Sequence, residues 1–281
     1  MSDHIVIPDE IRSVYPYTPD GRVPEWNDWN EQLTTLTFLA GKTTSIRLIS
    51  SVMVLPYRNP LLAAKMLSTL DLLSEGRVIA GVGAGWMREE FEALGTPPYD
   101  ERGSVTEEYI KFFKSVWTEE PASFRGKYFR LDSGVKFLPK PIQKPHPPIW
   151  VGGESPPAMR RAVSVGDAWF PIGSNPRYPL RTLDQLTEAT LRLHRYATEV
   201  GRKKEDISLS FVAPFKEQKG REIGPSELFV GGARKMVSDV MACENLGFSY
   251  IKFDLMGATL GDTLQNMSTF SEDVLQHFGK D

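Results

Sequence analysis

Three stretches of this chain carry residues whose types and spacing could do chemistry. In the first, Gly81, Gly83 and Gly85 alternate along GVGAGW, which ends in Trp86 and follows the apolar run Val78-Ile79-Ala80. Bare backbone at the end of a strand lets a flat ring or a phosphate approach, and equally lets the chain turn tightly. A dinucleotide fingerprint is excluded, because that motif needs G-x-G-x-x-G opening a helix and an acidic ribose partner roughly 20 residues on; here the third glycine comes one place early. In the second, IWVGGESPP, an apolar strand ends in Gly152 and Gly153, Ser155 takes an N-cap position, and Pro156 and Pro157 occupy the first helical turn. Freed backbone N–H groups, the Ser155 hydroxyl and the positive helix end could hold an anion, with Arg160 and Arg161 one turn on. A well-capped tight turn is the other reading. The third is His4, preceded by Asp3. An imidazole is partly protonated near neutral pH and can serve as acid or base, whereas a histidine so near the first residue is otherwise a mobile tail.

The elements that must position these groups alternate. Leu33, Leu36, Leu39 and Ala40 mark a helix, and residues 46 to 54 read as a strand in which Ser51-Val52 is unexceptional. Leu62, Met66, Leu70 and Leu73 recur at helical spacing, with Gly76 placed for a left-handed C-cap. Helices are also expected over 105–117, 156–165, 180–200, 235–246 and 260–278, and strands over 77–80, 149–152, 168–171, 207–212 and 250–253. His4 to Pro8 could be the last residues of a strand. Residues 9 to 30 form a long loop whose Tyr15, Tyr17, Trp26 and Trp29 either contact a substrate or plug a cavity mouth. The proline-rich stretch 121–148 suits a hairpin followed by an extended arm. Alternating strands and helices imply right-handed parallel crossovers.

Composition bounds the partners. The chain has 281 residues, 41% hydrophobic, enough for one α/β domain spanning 1–281. A net charge of -3 gives no reason to expect nucleic acid or an anionic membrane. No apolar run approaches the ~20 residues needed to span a bilayer. The single cysteine, Cys243, rules out an intrachain disulfide; it reads as a buried helix residue and makes the cytoplasm the expected compartment. His146 stands between prolines without metal-ligand spacing, and His194 and His277 read as solvated surface residues.

Around the glycines, LSTLDLLSEGRVIAGVGAGWMREEFEALG resembles the luciferase-like monooxygenase superfamily, and within it the oxidoreductases that use the deazaflavin coenzyme F420. The likeness continues through SVMVLPYRNPLLAAK, ERGSVTEEYIKFFKSVWTEEPASFRGKYF, LPKPIQKPHPPIWVGGESPPAMRRA and GDAWFPIG, covering most of residues 1 to about 200. It implies an α/β fold, a TIM (β/α)8-type barrel, of which six strand-helix units and the end of one further strand are legible. An open doubly wound sheet is the alternative fold. Asp3-His4 matches a pair that faces the cofactor ring, implying His4 as acid/base. Ser51-Val52 matches a bulge with a non-proline cis peptide behind the ring, Gly81 to Trp86 would lie beside the ring, and Gly152, Gly153 and Ser155 would hold the phosphate.

The resemblance therefore implies hydride transfer between F420 and a small organic substrate. Arg160 and Arg161 suit a polyanionic tail. An FMN-dependent monooxygenase is the alternative enzyme, and a non-catalytic flavin-binding or structural relative the alternative of another class. In the resembled family about 40 residues precede the Asp-His pair, consistent with the 30 or more of one βαβ unit. The barrel is thus expected to be incomplete at its N-terminal side, with unpaired edges that invite another chain. A homo-oligomer, in particular a dimer, is expected.

Overall fold

The computed structural model describes residues 3–23, 28–215, 224 and 226–278. Its elements are α1 (Gln32–Ala40), β1 (Leu48–Ile49), β2 (Met53–Val54), α2 (Pro60–Leu73), β3 (Val78–Gly83), α3 (Arg88–Leu94), α4 (Arg102–Thr118), β4 (Ala122–Arg125), β5 (Arg130–Val135), β6 (Ile149–Gly152), α5 (Pro156–Val165), β7 (Ala168–Phe170), α6 (Leu183–Glu199), β8 (Ser208–Val212), α7 (Ala233–Asn245), β9 (Phe248–Lys252) and α8 (Leu260–Asp273). Local chemistry starts the helices. Asn59 accepts from the N–H of Leu61 and Leu62 ahead of Pro60, while Thr182 and Gln185 form a capping box on α6.

One parallel sheet runs β1 and β2 on β3, then β6, β7, β8 and β9. A doubly wound sheet reverses its strand order at a switch point, whereas this order follows the chain throughout, so the sheet curls as part of a (β/α)8 barrel. All six expected strand positions are present. The expected continuous strand over 46–54 is broken into β1 and β2, because Ser50 to Val52 leave the ladder and the Ser51–Val52 peptide is cis. Among the described residues the sheet stays open, β1 pairing only with β3 and β9 only with β8. Its two edges nevertheless face each other, with the Arg47 guanidinium 6.0 Å from the Tyr250 ring.

Two apolar clusters separate the sheet's faces. The larger lies between strands and helices; the smaller, Ile79, Trp150, Ala168, Phe170 and Val212, lines the inside of the curl. Three expectations are corrected and one helix is added. His4 to Pro8 is not a strand, since no neighbouring strand meets it and its backbone N–H groups turn to a carboxylate instead. The inner face of α2 is Ala63, Ala64, Leu67 and Leu70 rather than the stripe through Leu62 and Leu73, which are 58% and 57% exposed. Small residues there let α4 come close enough for Trp117 Nε1 to reach the Ala64 carbonyl at 3.1 Å. Helix α3 was not anticipated, although Gly95 at φ +62 closes it as a C-cap glycine should. His194 is half-buried, and loss of hydration lowers its pKa.

The hairpin β4–β5 and the arm after it are as expected, the arm being pinned where Gln143 meets Asp71. His146 is structural, its Nδ1 lying 2.9 Å from the Pro147 carbonyl. Cys243 is fully buried, and burial pushes its thiol up to about 12, so it is chemically quiet. Helix α8 buries no residue: Leu260, Leu264 and Met267 are 74%, 57% and 52% exposed. Among the described residues no helix is long and apolar enough to cross a membrane, and no cluster of His, Cys, Asp or Glu is arranged to hold a metal.

Candidate active site

The carboxyl rim of the sheet gathers the site. Gly81 and Gly83 belong to β3 itself rather than to a loop beyond it. A Cβ on Gly81 would enter the Ser50 carbonyl oxygen, and one on Gly83 would lie 2.6 Å from Val52 Cγ2. These glycines make room for the neighbouring bulge, which folds inward over them and is fixed by Ser50 Oγ donating to the Gly81 carbonyl at 2.8 Å. Gly152 faces the same bulge, and a Cβ there would lie 3.2 Å from Val52 Cγ1. Gly85 has φ +82 and packs under Phe91 and Val54, which turns Trp86 onto the rim.

His4 reaches this rim without a strand to carry it. Its Nδ1 lies 2.7 Å from Glu90 Oε2, on the first turn of α3. The same carboxylate accepts from Tyr57 OH at 2.9 Å and from the backbone N–H of Ile5 and Val6 at 2.6 and 3.3 Å. Burial, then the adjoining Glu90 charge, raises the Tyr57 phenol well above its ordinary range. Asp3 anchors the segment from the other side. It accepts from Val54 N at 2.8 Å and from both terminal nitrogens of Arg58 at 2.6 and 2.7 Å, while Arg58 also donates to Glu31 at 2.7 Å. Side-chain pairing thus replaces the missing ladder.

Aromatic rings wall the histidine. The Trp29 ring centroid is 4.7 Å and that of Trp86 6.1 Å from His4, with Tyr15 5.2 Å from Trp86 and Tyr17 5.6 Å from Tyr15. The loop carrying the tyrosines is tied to α3, since Arg12 N and Ser13 N donate to Glu89 and Arg88 N donates to Ser13 Oγ. Burial pushes Tyr15 up to about 12. Burial, followed by the charges of Glu154 and Tyr15, raises Tyr17 further. Trp26 lies outside the described residues.

The anion turn is less generous than its spacing suggests. Gly153 has φ +107, a conformation suited to glycine, and Ser155 caps α5 by accepting from Ala158 N at 3.4 Å. Pro156 and Pro157 have no N–H to offer, so an anion would depend on the N–H groups ahead of them, the Ser155 hydroxyl proton and the helix dipole. Glu154 turns inward, accepting from Ile172 N at 2.6 Å and Asn175 Nδ2 at 2.9 Å; burial raises its carboxyl to about 7. Of the two expected cations, Arg160 turns away to Glu199 at 2.5 Å. Arg161 donates to the Gly103 carbonyl at 3.1 Å; burial lowers its pKa and the charge of Arg102 adds to that, against Glu107.

Sequence reasoning missed Glu90, Tyr57 and Arg58. The paired acids of MREEFEALG opening a helix that ends at a glycine were a legible sign of α3, but nothing local says which acid is buried. A flat redox cofactor with a phosphate fits these residues. Among the described residues the buried Trp29 Nε1, beside His4, has no hydrogen-bond partner, so a bound group bearing an acceptor would satisfy it.

Comparison with known proteins agrees with this fold. Over 148 residues the chain is 36% identical to the FMNH(2)-dependent dimethylsulfone monooxygenase of Pseudomonas putida, covering 52% of this chain but only 40% of that enzyme. An F420-dependent secondary alcohol dehydrogenase, solved with an F420-acetone adduct, superposes with a TM-score of 0.72 over 98% of this chain and 88% of its own at 16% identity. The coenzyme F420 dependent tetrahydromethanopterin reductase of Methanopyrus kandleri gives 0.71 over 89% and 88%, again at 16% identity. At that identity these two structures establish the fold. The family of luciferase-like monooxygenases matches residues 18–215, most of the rim included, and the chain belongs to it.

Proposed function

We propose that this chain is an oxidoreductase transferring a hydride between coenzyme F420 and a small organic substrate, in the cytoplasm. The observation that carries the reading is the His4–Glu90 contact of 2.7 Å on the carboxyl rim. Held by a carboxylate through Nδ1, the His4 imidazole would be the group that exchanges a proton with a substrate heteroatom. Glu90 holds the tautomer, Asp3 and Arg58 hold the backbone on which His4 rides, and Trp29 and Trp86 exclude water and offer faces to an apolar substrate. Trp29 Nε1 adds a donor for an oxygen on that substrate.

Ser51 and Val52 would back the ring, Gly81, Gly83, Gly85 and Trp86 would border it, and Gly152, Gly153 and Ser155 would hold its phosphate. The deazaflavin, when bound, supplies the hydride carrier. Preference for F420 over FMN is supported by the motif around the glycines. A reduced-FMN-dependent monooxygenase is the second reading, favoured by the 36% identity to the dimethylsulfone enzyme. The open sheet edges and the bare face of α8 support a homodimer.

Fluorescence titration of the purified protein decides. F420 should bind at lower concentration than FMN. Tighter FMN binding with flavin-dependent oxygen uptake moves the assignment to the monooxygenase, and binding of neither favours a non-catalytic relative.

A further inference from the structure

Lys252 is the last residue of β9, the free edge of the sheet. It is in register with Val212, a member of the inner cluster, and two residues earlier the Tyr250 ring lies 4.8 Å from inward-facing Trp150. Alternation along the strand therefore turns Lys252 into the curl. From there its Nζ donates to Ser51 Oγ at 3.1 Å, joining positions 201 residues apart at the bulge. Among the described residues no carboxylate forms an ion pair with it. Loss of hydration draws its pKa below the ordinary lysine value, against the opposing charge of Asp254. Trp150, Phe170 and Val212 line the curl behind it, while the ammonium itself stays open to the mouth, where a bound group can reach it. Such a charge favours an anion arriving beside it.

We propose that Lys252 is an electrostatic positioning residue that stabilises the negatively charged reduced form of the ring cofactor held at Ser51–Val52. This rests on the functional reading above. When a substrate alcohol is oxidised, its C–H bond breaks, the electron pair leaves with the hydride to the ring, and the O–H proton goes to His4. Lys252 would balance the negative charge that a bound ring acquires with the hydride, without giving up a proton of its own. A cation near the ring nitrogens tunes the electronics of such cofactors in this way.

Oxidised and reduced F420 are titrated separately against the parent, Lys252→Met and Lys252→Arg, with circular dichroism as the check on folding. Lys252→Met should weaken the reduced form about tenfold more than the oxidised form, equivalent to a fall of about 30 mV in the midpoint potential of the bound two-electron couple. Lys252→Arg should keep most of the difference, because it keeps the charge. Equal weakening of both forms by Lys252→Met, or none, overturns the proposal while leaving the cofactor assignment standing. If the parent binds neither F420 nor FMN in either redox state, the assignment itself is overturned and the role of Lys252 with it.

Discussion

Adding one methyl group to Gly81 tests whether the glycine run exists to admit the bulge. Its Cβ would overlap the carbonyl oxygen of Ser50, a backbone atom that cannot swing aside. That oxygen belongs to a segment pinned by Ser50 Oγ on the Gly81 carbonyl and by β1 and β2 pairing with β3 on either side. Overpacking of this kind costs about 3 kcal/mol, the upper end of the usual range. For a domain of this size that is roughly 6 to 12 °C of melting temperature. Gly83→Ala differs in a useful way. Its Cβ would lie 2.6 Å from Val52 Cγ2, a side-chain atom, so the cost should be about 1 to 2 kcal/mol and should be relieved by Val52→Ala. The double variant should recover about 1 kcal/mol relative to the sum of the single ones. Thermal unfolding followed by circular dichroism reads the parent, the three single variants and the double variant. If Gly81→Ala melts within a degree of the parent, or Val52→Ala fails to rescue Gly83→Ala, the glycines are not there for the bulge.

Three further outcomes follow from the site. Glu90→Leu removes the acceptor shared by His4, Tyr57, Ile5 N and Val6 N and should lower stability by about 3 kcal/mol or more, read from the urea midpoint; a loss under about 1 kcal/mol would mean that the carboxylate does not hold the segment. Gly153→Asp places a carboxylate and a Cβ where an anion is expected at φ +107, and should weaken cofactor binding at least tenfold while the fold persists; unchanged affinity puts the phosphate elsewhere. Glu154 is raised from 4.5 to about 7 in the folded state, so its contribution is fully present below pH 4.5 and is lost as pH rises through 7. Glu154→Gln should therefore abolish a decline in stability between those pH values and be the more stable protein at pH 8, by at most about 3 kcal/mol; parallel pH profiles for the two proteins would refute this.

What the sequence by itself determined is what neighbouring residues settle among themselves. Apolar runs bounded by glycine and proline placed all six positions of the parallel sheet, and Ser155 with its two prolines marked the start of α5 within a residue. The lone Cys243 read as a buried helix residue and is one, and the family motif carried the cis peptide at Ser51–Val52 that ordinary strand propensity hides. Tertiary structure alone decided the chemistry of the rim. Glu90 meets His4 across 86 residues, Arg58 meets Asp3 across 55, and Lys252 meets Ser51 across 201. Each of these side chains would pass as a solvated charge on its own element, and only the curl of the sheet brings it to a partner. The same holds for the glycines of β3: their spacing says that something must come close, but it is the inward fold of the adjacent strand that makes the bulge that something. Periodicity is written locally because it follows backbone geometry, whereas partnership between distant charges depends on how the whole chain closes.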